Sequence, residues 1–270
     1  MPVILESDRT RGHGAASAHL RASLTRLCPP DDRRCPSAYI NQRLRRSNLN
    51  APSQRMLTIW GRRSSLNVQK VMWLVGELRI EHRRIDAGGQ FGGLDTPEFR
   101  AMNPLGRVPV LDDNGIVVWE SHSILRYLAA CYGQGRFWSE SAGERSQVDR
   151  WMDWAQTALQ PDFLMGVFWG FYRTPEPQRN WPAIRDKIAR CAIHFQLLDK
   201  MLAGRRFLCG NALSLADIAI GTSLFRYFGL EIERPSVPHV EAWYDRLQER
   251  PAYHEHAMVP FTELRGRLDY

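Results

Sequence analysis

The chain has no C-x-x-C pair, and its five cysteines (Cys28, Cys35, Cys131, Cys191 and Cys209) are odd in number and widely scattered. That pattern excludes a disulfide framework and a cysteine-built zinc site, and it points to a reducing compartment, the cytoplasm. No run approaches the ~18 apolar residues of a membrane span, and no secretory apolar segment follows the N-terminus. No membrane partner is expected. The eight histidines form no H-x-x-x-H helix pair, and His254 and His256 read as solvated, so no metal site is expected either.

Lysine is missing from residues 1–55, which hold ten arginines against four acids. The remainder balances 26 basic with 25 acidic residues, so most of the net charge of +7 belongs to the leader. The folded body is close to neutral. With weak periodicity and little to bury, 1–55 reads as a disordered Arg-rich extension. Met56 as the true first residue, a plain tail, a transit peptide and a nucleic-acid arm all compete to explain it. The arm lacks interleaved aromatics, so no nucleic acid is expected as a partner.

A composition of 44% hydrophobic and 24% charged residues suits a soluble globular protein. Residues 56–132 alternate strand-like and helix-like segments. Leu57 to Trp60 suggest a strand, and Val71, Leu74, Val75 and Leu78 repeat at i, i+3, i+4, i+7 as an amphipathic helix. A second strand is expected near 82–86, then a glycine-rich loop and a helical turn at Pro97–Met102. Two apolar runs around Asp112-Asp113-Asn114-Gly115 read as a hairpin. A helix from about Ser121 to Tyr132 closes the set, so the sheet should be mixed. Beyond a linker near 133–141, residues 142–270 read as all helical. One helix is expected from about Ala142 to Gly170, and another carries Ile184, Ile188, Cys191, Phe195, Leu198 and Leu202. A third starts at Ser214, with Ser214 and Asp217 spaced for a capping box, and a fourth holds Val240, Trp243, Tyr244 and Leu247. There is no internal repeat.

Three short motifs fall where chemistry could sit. Ser64, Ser65 and Asn67 stand where the first strand hands over to its helix; the bland reading is a helix cap. Asn103 to Pro109 places a proline just before an apolar strand, which fits a trans proline at a strand edge or a cis Val108–Pro109 bond. Glu120 and Ser121 open the next helix, where an acid and a hydroxyl suit the positive end of the dipole. Gly88 to Gly93 is glycine-rich but is not G-x-G-x-x-G, so it gives no dinucleotide site.

Taken together, residues 56–250 resemble the cytosolic glutathione S-transferases, of the bacterial serine-type, theta- or nu-like branches. The resemblance rests on S-x-N before the first helix, N-P-x-G-R-V-P-V-L, E-S at the third helix and L-S-L-A-D-I in the bundle. It implies an α/β thioredoxin-like domain followed by an all-α helical bundle domain, glutathione as cosubstrate, a small hydrophobic electrophile and a homodimer. It implies that Pro109 is cis, that the Val108 backbone receives the cysteinyl part of glutathione, and that Glu120 and Ser121 hold its γ-glutamyl end. Gln90 and Arg107 fall near the glycyl end. Ser65 matches the catalytic hydroxyl, with Asn67 two residues on and Ser64 as the one-residue alternative.

A free thiol has a pKa of about 8.5 and only its thiolate attacks, so donors at a helix start would serve catalysis. Lowering that pKa by ~1.5 units takes only about 2 kcal/mol. With no cysteine between 56 and 130, a mixed-disulfide mechanism is not expected. Asp217 is expected to be structural. The first bundle helix is aromatic (Trp151, Trp154, Phe163, Phe168, Trp169, Phe171, Tyr172), which suits an apolar electrophile once core packing is discounted. Two function classes follow: an enzyme that activates glutathione for conjugation or for disulfide or peroxide reduction, and a non-catalytic binding or interaction protein that kept the fold.

Overall fold

The computed structural model describes residues 56–268; the expectations for 1–55 lie outside the described residues. Four short strands form one mixed sheet in the order β2-β1-β3-β4. Strand β1 (Leu57–Trp60) runs parallel to β2 (His82–Ile85) and antiparallel to β3 (Val110–Asp113), which turns back into β4 (Ile116–Trp119). The parallel pair is joined through helix α1 (Leu66–Leu78), as a parallel connection requires. The antiparallel pair is joined by Asn114 and Gly115, both at positive φ. Helix α2 (Pro97–Met102) starts at Thr96, whose hydroxyl accepts from the Phe99 N–H at 3.2 Å, and α3 (Ser121–Tyr132) follows β4.

Helix α1 is the centre of the molecule. Val68, Val71, Trp73, Leu74 and Val75 are all fully buried, so packing on several faces fixes the position of its N-terminus. The expected stripe of Val71, Leu74 and Val75 is present, and Leu78 is half-buried. On its far side α1 meets the helical half: the Trp73 ring sits edge-on to Tyr253 at 4.6 Å between centroids. Glu77 receives both Arg250 and Arg136, each at 2.6 Å. Burial alone would raise the Glu77 pKa, but its partners, Arg250 first, hold it below the usual value.

The helical half begins with α4 (Ala142–Trp154), capped by the Ser141 hydroxyl on the Glu144 N–H. The expected helix end near Gly170 is extended to Arg173, through widened i→i+5 turns over Ala155–Leu159 and Pro161–Arg173. Pro161 has no N–H to give to a regular ladder, and such widening is one way for a helix to carry it. Helix α5 (Trp181–Leu202) buries Ile184, Cys191, Phe195, Leu198 and Leu202 along one face, with Ile188 packed at its margin. Helices α6 (Leu215–Gly221), α7 (Leu224–Gly229), α8 (Pro238–Gln248) and α9 (Pro251–His256) complete the bundle. One apolar core runs from β1 and α1 through α6 and α8 without a break. The expectation that His256 is solvated is corrected. Its side chain is only 13% exposed, wedged against α1 where a Cβ on Gly76 would touch its ring, and burial lowers its pKa.

Candidate active site at the start of helix α1

Strand β1 ends at Gly61, where a side chain would collide with Val68 and press on Val108. The chain then turns through Arg62 to Ser65, which occupies the N-cap position of α1 in extended backbone conformation. A serine there normally turns its hydroxyl onto the helix. Here it does not: no side-chain capping bond is made, and the half-buried hydroxyl has no partner among the described residues. Ser64 is 7% exposed, and its carbonyl accepts from Arg226 at 2.6 Å.

Asn67 is no cap either. Its Oδ1 accepts from the Lys70 ammonium at 3.1 Å, and the same nitrogen donates to Gln160 Oε1 at 2.9 Å and meets His122 Nε2 at 3.2 Å. Lys70 is 2% exposed. Burial pulls its pKa down to about 7, against an opposing pull from the charge of Glu120. Burial, then the Lys70 and Arg126 charges, hold His122 down to about 2, so its ring is neutral and Nε2 can accept. Lys70 therefore ties the start of α1 to the start of α3 and to the first bundle helix.

Glu120 and Ser121 come from the turn between β4 and α3. Glu120 has φ 68°, a left-handed conformation uncommon for a glutamate, and its exposed side chain makes no capping bond. Departures of this kind cluster at ligand-binding positions. Ser121 is buried at the first helical position, where backbone N–H groups are free to meet an anion.

The Asn103–Pro109 loop forms the third wall. Asn103, 2% exposed, donates to the Arg107 carbonyl at 2.8 Å and accepts from the Leu105 N–H at 3.0 Å, fixing the turn from inside. The Val108–Pro109 bond is cis. Arg107 projects into solvent. Gln90 lies in a short turn, Gly89–Phe91, and is likewise exposed; its loop is anchored beside the site by the Arg62 N–H on the Ala87 carbonyl at 3.0 Å. The structure thus brings Ser64, Ser65, Asn67, Val108, Pro109, Glu120 and Ser121 around the start of α1. Gln90 and Arg107 stand further out on loops.

Sequence reasoning missed Lys70, Gln160, Arg226 and the bracing role of Asn103. Lys70 had a signal: it is a charge standing between Val68 and the apolar run Val71–Val75. Asn103 lay within a quoted motif and was given no task. Gln160 comes from the distant half and carries no local mark; Arg226, also from that half, is a charge inside the apolar run LFRYFG.

Asp217 behaves as expected. It is fully buried at the start of α6, where its carboxylate accepts from the Ser214 N–H at 2.9 Å, the Ser214 hydroxyl at 2.6 Å and the Leu208 N–H at 2.9 Å. Burial pushes its pKa up to about 6 against those donors.

Residues 55–130 match the family model of the glutathione S-transferase N-terminal domain, and residues 161–251 match that of the C-terminal domain. The chain is 39% identical over 209 residues to glutathione S-transferase GstB of Escherichia coli, covering 77% of this chain and 100% of that protein. It is 28% identical to glutathione S-transferase F10 of Arabidopsis thaliana, over 74% of this chain and 95% of the other. The theta class glutathione S-transferase of Xanthomonas axonopodis pv. citri, solved with glutathione bound, aligns at 41% identity with a TM-score of 0.73, covering 76% of this chain and 99% of that one. With both domain models matched in order around a sheet and bundle of this topology, the chain belongs to the glutathione S-transferase family.

Proposed function

We propose that this enzyme binds glutathione against the start of α1, stabilises its thiolate with the Ser65 hydroxyl, and directs the sulfur at a hydrophobic electrophile. The observation that carries the reading is the half-exposed hydroxyl of Ser65 at the N-cap of α1, which makes no capping bond. A hydroxyl donor and the helix-terminal N–H groups both favour an anion. Asn67 presents its amide N–H2 beside them, since its oxygen is taken by Lys70. When protonated, Lys70 adds positive charge behind the same helix turn. Ser64 is the weaker candidate because its neighbourhood is closed by Arg226.

Glutathione would be held independently of its sulfur. The Glu120 carboxylate suits its ammonium, and the Ser121 hydroxyl with the α3 N–H groups suits its γ-glutamyl carboxylate. The Val108 backbone suits its cysteinyl amide, and Gln90 and Arg107 suit its glycyl end. Reduction of a disulfide or a peroxide would draw on the same thiolate.

The chain is also expected to pair with a second copy. Edge strand β4 exposes Ile116, Val117 and Trp119, and α5 exposes Ile193 and Leu197, two apolar surfaces suited to burial in a two-fold dimer. Sedimentation at micromolar concentration should give twice the 31.1 kDa chain mass, and a clean monomer would refute it.

Retention on glutathione-agarose followed by three assays tests the main reading. The substrates are a chloronitrobenzene, an organic hydroperoxide and a mixed disulfide. Retention with turnover of at least one is expected; retention without any turnover would leave only a glutathione-binding protein.

A further inference from the structure

The chain carries 33 arginines and only three lysines, Lys70, Lys187 and Lys200, and of the three only Lys70 is buried. Its side chain leans back along α1, as helical side chains do, and so reaches Asn67 three residues earlier. An ammonium has three N–H donors, and this one meets three acceptors: Asn67 Oδ1 at 3.1 Å, Gln160 Oε1 at 2.9 Å and His122 Nε2 at 3.2 Å. They come from α1, from the first bundle helix and from α3. A planar guanidinium does not fit three acceptors set around one nitrogen. That geometry accounts for a lysine in a chain that otherwise uses arginine.

The three acceptors satisfy the donors without balancing the charge. Two are amides, and the His122 ring is held neutral by burial and by the Lys70 and Arg126 charges. Glu120 is the anion that acts on Lys70, and its pull is outweighed by burial. The same carboxylate is the one proposed for the ammonium of glutathione. A cation beside a helix N-terminus also runs against the helix dipole. A thiolate at the Ser65 hydroxyl, one turn away, offsets the buried charge and suits the dipole.

We infer that Lys70 is a positioning residue for the glutathione sulfur: its ammonium holds the Asn67 amide with the N–H2 toward the thiolate and supplies the buried positive charge that offsets it. The inference rests on the transferase reading and deepens it. A lysine ammonium only donates, so the Asn67 oxygen must face it and the N–H2 must face away. Lys70 acts through Asn67 and through its charge, and needs no contact with the sulfur. The coupling is reciprocal: by the factor that the ammonium favours the thiolate, the thiolate favours the ammonium.

Two measurements on the full chain test it. In the first, the absorbance of bound glutathione thiolate is followed against pH. Lys70→Met, similar in length but apolar, should raise the titration midpoint by about one unit, a roughly tenfold smaller thiolate fraction below it. Lys70→Arg keeps a charge and donors and should recover part of the shift. Asn67→Ala should add less to Lys70→Met than it adds to the wild type, because both substitutions act on one amide. A purely structural lysine would lower the Tm and leave the midpoint in place; an unmoved midpoint, or full additivity with Asn67→Ala, would overturn the inference. The second measurement needs no substitution at Lys70, so it decides even if Lys70→Met does not fold. With three lysines, 13C labelling of lysine gives three signals, and Lys187→Arg and Lys200→Arg assign the remaining one to Lys70. Its titration midpoint should stand higher with glutathione bound than with S-methylglutathione, which has no thiol to ionise. Equal midpoints would refute the coupling. If the wild type shows no thiolate absorbance with glutathione in excess, the transferase reading fails and this inference falls with it. A normal wild-type thiolate that Lys70→Met leaves unmoved removes Lys70 alone.

Discussion

Helices α6 and α1 both start at a serine, and the two starts are finished differently. At α6, Ser214 and Asp217 saturate each other and the Leu208 N–H, with the carboxylate fully buried. At α1, Ser65 holds the same N-cap position with its hydroxyl idle and half-exposed. A start that its own side chains complete contributes stability and leaves nothing for a ligand. A start left open loses that contribution, and in return its donors remain available. The difference separates a serine bound into its own helix start from one whose hydroxyl is left available, which sequence spacing does not, since both lie at a helix start.

Substitution at the closed start should have the largest effect, and only on stability. Asp217→Ala strands the buried Leu208 N–H and the half-buried Ser214 N–H, at about 1–3 kcal/mol each, so a loss of about 2–6 kcal/mol is expected. Chemical denaturation reads it directly. The fraction that remains folded should bind glutathione normally; weaker binding would mean that the α6 start reaches the site and the contrast is false.

At the open start the expected outcome is inverted. Ser65→Ala removes no capping bond, so the Tm should stay within a degree or two. Losing a hydrogen bond to a charged sulfur costs about 1.5–3 kcal/mol, or about 10- to 150-fold in kcat/KM at neutral pH. The alkaline-rising limb of the pH profile should move upward, because the bound thiol has lost a donor that favours its anion. Ser64→Ala is the control. If it carries the rate defect while Ser65→Ala behaves as wild type, the thiolate lies one residue earlier.

The start of α3 offers an intermediate case. Glu120→Gln keeps the side-chain length but removes the charge proposed for the glutathione ammonium, so glutathione affinity should fall about tenfold, the difference between a charged and a neutral hydrogen bond. The pH profile should move less than in Ser65→Ala. Isothermal titration against glutathione settles the first point, and an unchanged affinity would remove Glu120 from the site.

Much of this was legible in the sequence because local patterns carry it. The α1 stripe, the Asn114-Gly115 hairpin and the Ser214–Asp217 cap are each set by residues within a few positions, and each is where the pattern places it. The cis Val108–Pro109 bond was not legible from the residues alone, where trans is the commoner form; the resemblance supplied it. The widened turns after Trp154 could not be read, since Pro161 signals a disturbance without saying how the helix absorbs it. The contacts of Lys70 with Gln160 and of Arg226 with Ser64 span the two halves of the chain, and no spacing rule reports them. His256 was misread because it stands near the C-terminus, whereas it packs against Gly76.

The smallest effect belongs to Asn67, which stands between the two kinds of helix start. Its oxygen is engaged by Lys70, a structural task, while its amide N–H2 is the part proposed to meet the sulfur. Asn67→Ala removes both and should lower stability by about 1 kcal/mol, the worth of one ordinary hydrogen bond, with a rate loss of a few fold. Asn67→Asp separates the two tasks. The carboxylate still accepts from Lys70, and with a stronger bond, so stability should be kept or raised. It offers no N–H, and its negative charge beside a thiolate should push the thiol pKa up. The absorbance of bound thiolate near 240 nm, followed against pH, should therefore titrate higher in Asn67→Asp than in Asn67→Ala, and higher in Asn67→Ala than in wild type. If Asn67→Asp titrates as wild type, the amide does not face the sulfur. Asn67 then belongs with Asp217, on the structural side of the comparison.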